Sequence, residues 1–191
     1  MRVLIACEYS GVVRNAFSAL GHDAMSCDLL PTELEGNHYQ GDIRDVLDYP
    51  WDLMIAHPPC TDLSVSGAAW FEKKRKNGNQ YASASFFMTL AKCDIPKIAI
   101  ENPVCIMSKL WRKPDQIVHP WMFGHPEQKA TCLWLKGLPN LKETNNVKEL
   151  MLTLPDNERQ RLHYLPPSAD RGKLRSKTFE GLAQAMAQQW G

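Results

Sequence analysis

The apolar residues of this chain fall into short dense runs, each closed by a turn signal. Arg2-Val3-Leu4-Ile5-Ala6 is a β-rich run ending in a Ser10-Gly11 turn. Val13, Ala16, Phe17 and Leu20 then recur at helical spacing, and Gly21 stops them. Asp23 to Cys27 predicts a second strand ending in Asp28, and Tyr39 to Ile43 carries a Gly41-Asp42 turn. Leu53 to Ala56 is a third strand. A polar, basic stretch from Phe71 to Gln80 predicts a loop, and a helix follows through Ala84, Phe87, Met88, Leu90 and Ala91. Ile98-Ala99-Ile100 and Thr131 to Leu135 predict two more strands. Pro139 to Asp170 is proline-rich and polar, with one helical stretch near Asn146 to Leu152. A last helix over Phe179 to Trp190 sets Leu182, Ala183, Met186 and Trp190 on one face. Strands alternating with helices predict an α/β fold with a doubly wound, mostly parallel sheet.

Composition narrows this picture without redirecting it. The 191 residues suit one domain, 1–191, with a real core. A net charge of +1 means that any nucleic-acid surface has to be a local patch. The six cysteines form no CxxC pair, so no metal site is expected, and several sit in apolar runs as reduced core thiols. The N-terminus reads straight into a strand without a secretion signal, and no apolar run spans a membrane, which fits a reducing cytoplasm.

Two segments carry the chemistry. Trp51-Asp-Leu-Met-Ile-Ala-His-Pro-Pro-Cys60 is an apolar strand running into a thiol. Pro96-Lys-Ile-Ala-Ile-Glu101-Asn102-Pro103 is another, running into a carboxylate. Both groups are thus expected just past strand ends, at the rim where open α/β sheets bind ligands. Pro-Pro before a thiol is a poor core environment.

These blocks resemble the DNA (cytosine-5)-methyltransferase family. Pro59-Cys60 with Ser64-Val65-Ser66-Gly67 is similar to its catalytic loop, and Ile100-Glu101-Asn102-Pro103 to its Glu-Asn-Val block. Phe123-Gly-His-Pro-Glu-Gln-Lys129 resembles its late Gln-x-Arg-x-Arg block. The chain is closer still to short methyltransferase-like proteins of phages and prophages, which share Gly-His-Pro-Glu, Leu-Trp-Leu and Ala-Met-Ala-x-Gln-Trp. The resemblance implies a Rossmann-like S-adenosylmethionine-dependent methyltransferase acting on cytosine C5 in DNA. Cys60 would add to C6. Glu101, with a pKa raised by desolvation, would protonate N3. Pro59, Asn102 and Lys129 would support the base pocket, Asn102 by holding the loop. Glu8, Tyr9, Ser10 and Gly11 take the place of the family's glycine-rich cofactor turn, with one glycine kept. Asp28, Asp42, Ile43 and Pro58 would complete the cofactor site.

Three departures qualify the match. Two family glycines are missing near Gly11. Glu127, Lys129 and Thr131 stand where the family has Gln, Arg and Arg, so Arg171 or Arg175 would have to supply the missing cation. The segment of about 136–175 is too short for the usual target-recognition region. That leaves room for a partner protein or self-association in sequence recognition. It also keeps open a free cytosine nucleotide as substrate, or a catalytically weak binding relative. Lys73, Lys74, Arg75 and Lys76 would contact DNA phosphates or form a solvated loop. His57-Pro58-Pro59 also looks like the Asn/Asp-Pro-Pro-aromatic motif of amino-methyltransferases. Cys60 replaces its aromatic residue, which ranks N-methylation below C5-methylation.

Overall fold

The computed structural model describes residues 1–191. Seven strands form one sheet: β1 (Arg2–Ala6), β2 (Asp23–Asp28), β3 (His38–Gln40), β4 (Leu53–Ala56), β5 (Lys97–Pro103), β6 (Gln116–Val118) and β7 (Thr131–Lys136). Their order is β3-β2-β1-β4-β5-β7-β6. Neighbours from β3 through β5 pair parallel, and β7 pairs antiparallel with both β5 and β6, so only β7 is reversed. The strand order turns back between β1 and β4, which makes the carboxyl edge there the natural ligand crevice.

Period-two alternation divides the core between two faces. Val3, Ile5, Leu53, Ile55 and Leu133 face α1 (Val12–Ala19) and α9 (Glu180–Trp190). Leu4, Ala6, Met54, Ile98 and Trp134 face α3 (Asn79–Lys92). Trp134 meets Phe87 of α3 edge to face, ring centroids 5.3 Å apart, and its indole N–H donates to the Arg112 carbonyl at 2.9 Å. The remaining helices are short: α2 (Phe71–Lys76), α4 (Met107–Leu110), α5 (Lys148–Thr153), α6 (Asp156–Arg159), α7 (Arg161–Tyr164) and α8 (Arg171–Ser176). None of the helices is long and apolar enough to cross a membrane.

The structure corrects the sequence reading in three places. Residues 71–76 form helix α2 rather than a loop, since Lys and Arg are good helix formers even without an apolar stripe. Glu101 lies within β5, opposite Leu133 of β7, not beyond the strand end. The segment after Pro139 holds helices α6 and α7 in addition to the expected α5.

A buried arginine organises the amino-terminal third. Arg14 is fully buried on α1 and has no carboxylate partner. Its guanidinium donates to Ser26 Oγ at 2.9 Å, Thr32 Oγ1 at 3.2 Å, and the carbonyls of Leu34 and Glu35 at 2.7 and 2.9 Å. Those bonds clamp the loop 29–37 over the helix. Gly36, at φ 147°, gives the guanidinium room, because a Cβ there would stand 2.7 Å from Arg14 Nε. Arg14→Met removes several charge-assisted bonds and leaves buried acceptors unpaired, at a cost of about 3 kcal/mol. It should lower the melting temperature by roughly 6–12 °C for a chain of this size, read by thermal circular dichroism.

Candidate active site

The rim of the crevice is built by the residues that follow β1, β2, β3 and β4, and by the end of β5. Cys7, just past β1, is the only non-glycine residue with positive φ (59°), a strained conformation of the kind that gathers at functional sites. Its thiol is pushed up by burial and by the charges of Asp28 and Asp42. The bend at Cys7 folds Glu8 back under α1. Glu8 is buried and accepts from the backbone N–H groups of Val13 (2.7 Å) and Arg14 (3.2 Å) and from Ser10 Oγ (3.0 Å). It therefore satisfies donors that the first helical turn leaves open. Both Glu8 and Ser10 point inward. Gly11, at φ 77°, starts α1 and lies against Arg14.

At the end of β2, one carboxylate oxygen of Asp28 accepts from Leu30 N–H at 2.9 Å, leaving the other without a protein partner. Asp42 starts the turn Ile43–Asp45 by accepting from Arg44 N–H at 2.9 Å. Hydrogen bonds from the Arg44 guanidinium hold its carboxyl down at about 2. Ile43 is buried beneath that turn.

The loop after β4 is closed on itself and pinned to the chain after β5. The Cys60 carbonyl accepts from Leu63 N–H (3.0 Å) and Ser64 N–H (2.9 Å). Val65 donates to the Val104 carbonyl at 3.1 Å, and Ile106 to the Leu63 carbonyl at 3.0 Å. Asn102, buried, donates from its side chain to the Pro58 carbonyl at 2.8 Å. Pro59 and Cys60 are carried by a loop fixed at both ends.

Burial and the charge of Glu101 push the Cys60 thiol up, while Lys129 and Arg175 pull against them, and the net shift is upward. Lys129 also draws the Glu101 carboxyl down. Burial pushes that carboxyl up, but the hydrogen bond from His57 and the charges of Lys129 and His57 outweigh it. Desolvation alone predicts a raised Glu101; the structure places it below its ordinary value. The cause is His57, whose Nδ1 stands 3.0 Å from Glu101 Oε2 with its side chain only 9% exposed. His57 Nε2 is buried without a protein partner. The sequence reading used His57 only as part of a motif; its place one residue past a buried strand was the available signal.

A strap formed by α8 and its flanks is tied across this cleft. Tyr9 Oη donates to the Lys173 carbonyl at 2.8 Å, Lys129 Nζ donates to the Arg175 carbonyl at 3.1 Å, and Lys177 pairs with Glu33 at 2.5 Å. Arg171 donates to the Leu165 and His163 carbonyls at 2.7 and 3.0 Å and holds the strap's own start. Of the two arginines expected near the base, Arg175 is the one whose charge reaches Cys60. His125 Nε2 accepts from Gly181 N–H at 3.0 Å and seats α9. Lys74, by contrast, is bound to the loop itself, donating to the Thr61 carbonyl and lying 3.5 Å from Asp62. Lys73, Arg75 and Lys76 are exposed on α2.

No protein-family model matches the chain, and no curated protein sequence does. Among solved structures, a methyltransferase of Entamoeba histolytica superposes with a TM-score of 0.51 at 14% identity, over 76% of this chain. The fold is of the Rossmann-like methyltransferase type. The chain spans 57% of the length of that relative, and at such identity the likeness concerns architecture.

The depressed Glu101 has a measurable consequence. Its ionised form stabilises the fold above the unfolded value, roughly 4.3, and that contribution is lost as the pH falls through the lower folded value. Glu101→Gln should therefore flatten the acid limb of the stability profile, read as urea midpoints between pH 7 and 3. An unchanged acid limb would show that the carboxylate is not held ionised.

Proposed function

We propose that this chain transfers a methyl group from S-adenosylmethionine to C5 of cytosine in DNA through a covalent Cys60 adduct. The observation that carries the reading is the shared position of the Cys60 thiol and the Glu101 carboxylate. They stand at the carboxyl edge of adjacent strands, near enough for Glu101 to shift the thiol, with Lys129 acting on both. The resemblance of these two blocks to the cytosine-5 family supports the assignment of roles.

Cys60 starts as a thiol and Glu101 as a carboxylate. As sulfur bonds to C6, the thiol proton passes to Glu101 and a proton passes from Glu101 to N3, so no charge builds up on the ring. C5 becomes the nucleophile. S-adenosylmethionine, when bound, supplies an electrophilic methyl group. Loss of the C5 proton to solvent, return of the N3 proton through Glu101 to sulfur as the C6–sulfur bond breaks, and departure of the demethylated cofactor then release methylcytosine and restore the thiol. His57 holds Glu101 Oε2, leaving Oε1 for the base. In a duplex the target base has to leave the stack to reach this pair. The free oxygen of Asp28, the backbone of Tyr9 to Gly11, the turn at Asp42-Ile43 and the Pro58 ring are the groups that would hold the cofactor. Glu8 and Ser10 act beneath them, through the start of α1.

A free cytosine nucleotide is the second reading. It is favoured by the segment 136–175, whose helices are no longer than six residues. With DNA as the substrate, recognition of a sequence would fall to a protein partner or a second copy.

Cys60→Ser should lower methyl transfer by roughly three orders of magnitude or more while the fold is retained, measured with labelled cofactor. With 5-fluorocytosine in DNA, wild-type protein and cofactor should give a persistent covalent complex; trapping only by the fluorinated nucleotide would reassign the substrate. Full activity in Cys60→Ser would refute the C5 mechanism. S-adenosylmethionine at a hundred times its Kd should raise the melting temperature by roughly 5–10 °C. Asp28→Ala should shrink that rise at the same ligand concentration.

A further inference from the structure

The geometry beside the Cys60 loop points to a single-stranded acceptor. We propose that the strand runs along α2 with bases stacked on Trp70 and Tyr81 and phosphates on Lys73 and Lys76, which recur with Trp70 every three residues along one side of the helix. The inference rests on the reading of the site as one acting on a nucleic-acid base.

Trp70 closes the turn before α2 and is 62% exposed; Tyr81 lies in the first turn of α3 and is 67% exposed. Neither ring stacks on another aromatic group of the chain, and neither side chain makes a hydrogen bond within it. Between them, α2 carries four cations against one carboxylate, Glu72. Lys74 turns back to bind Thr61 and Asp62, tying α2 to the loop that bears Cys60. The other cations face solvent. Lys73 has no carboxylate partner, and the pair of Lys76 with Glu72 at 2.7 Å is exposed on both sides and worth little, so it yields to a phosphate; Arg75 lies on the other flank of the helix.

A duplex makes poor use of this surface, because its bases are stacked inside and two exposed rings would meet only sugar and phosphate. Reading a duplex from the major groove takes a helix or a ribbon inserted there. Helix α2, on this surface, is only six residues long, and α3 beside it is packed into the core through Phe87 and Leu90. An unpaired strand offers a π-face for each ring and a phosphate for each cation, the combination by which single strands are bound with little sequence preference.

The test is fluorescence anisotropy of the full chain with a labelled oligonucleotide, single-stranded or annealed to its complement. The single strand should bind about tenfold tighter or more. Trp70→Ala and Tyr81→Ala should each weaken single-strand binding roughly five- to twentyfold and leave duplex binding nearly unchanged. Lys73→Ala with Lys76→Ala should reduce the slope of log affinity against log salt by about 1.4. All four side chains are exposed, so the variants should melt like wild type. Equal or tighter binding of the duplex, or wild-type affinity in both aromatic variants, would overturn the proposal. Aromatic-dependent binding without methyl transfer by wild type would sink the chemistry and keep the surface. Trapping of Cys60 on fluorinated duplex by both aromatic variants at the wild-type rate would keep the chemistry and sink the surface.

Discussion

The register between β4 and β5 is the constraint on which the site depends. Ala56 lies opposite Ile100, so the next two positions set His57 beside Glu101 and Pro58 beside Asn102. Both neighbours are joined by hydrogen bonds, at 3.0 and 2.8 Å. A slip of one residue would reverse the face of every side chain in the strand and separate both pairs. The buried alternation of Leu53, Met54, Ile55 and Ala56 between the two halves of the core forbids such a slip. Packing of aliphatic residues well away from the rim thus fixes the distance between an imidazole and a carboxylate at it.

The electrostatics of the rim follow from that register. Glu101 is ionised because His57 and Lys129 together outweigh desolvation, and the same carboxylate helps keep Cys60 protonated. The two groups hold opposite protonation states as a pair, and neither state follows from burial alone. Arg14 shows a different solution to burying charge. Its guanidinium is met by hydroxyls and carbonyls, so the positive charge is spread over fixed dipoles and tied to loop geometry.

Most of the sheet was legible in the sequence because buried parallel strands are continuous apolar runs closed by turns. Leu53 to Ala56 matches β4 residue for residue, and the apolar face of α9 lies where its spacing put it. The failures have physical causes. Helix α2 has no apolar stripe to betray it. Strand β6 is three residues long and exists because β7 lies beside it. At the site, the residue types at Cys60, Glu101 and Asn102 could be read in order along the chain. The ionisation of Glu101 could not, because it depends on a contact between residues 44 positions apart. The inward turn of Glu8 and Ser10 was equally hidden, since it follows from one backbone angle at Cys7.

The strap over the cleft is held at two points through its own main chain and at two through side chains, Ser176 against Tyr9 and Lys177 against Glu33. Tyr9 and Lys129 both grip carbonyl groups, those of Lys173 and Arg175, and make no use of the side chains at those positions. At Lys173 and Arg175, fastening is therefore separate from what the segment presents to the cleft. Lys173 and Arg175 can be exchanged for neutral or acidic residues while the clasp keeps both grips. Exchanges at these two positions would retune the charge above the cleft without moving the backbone that carries it.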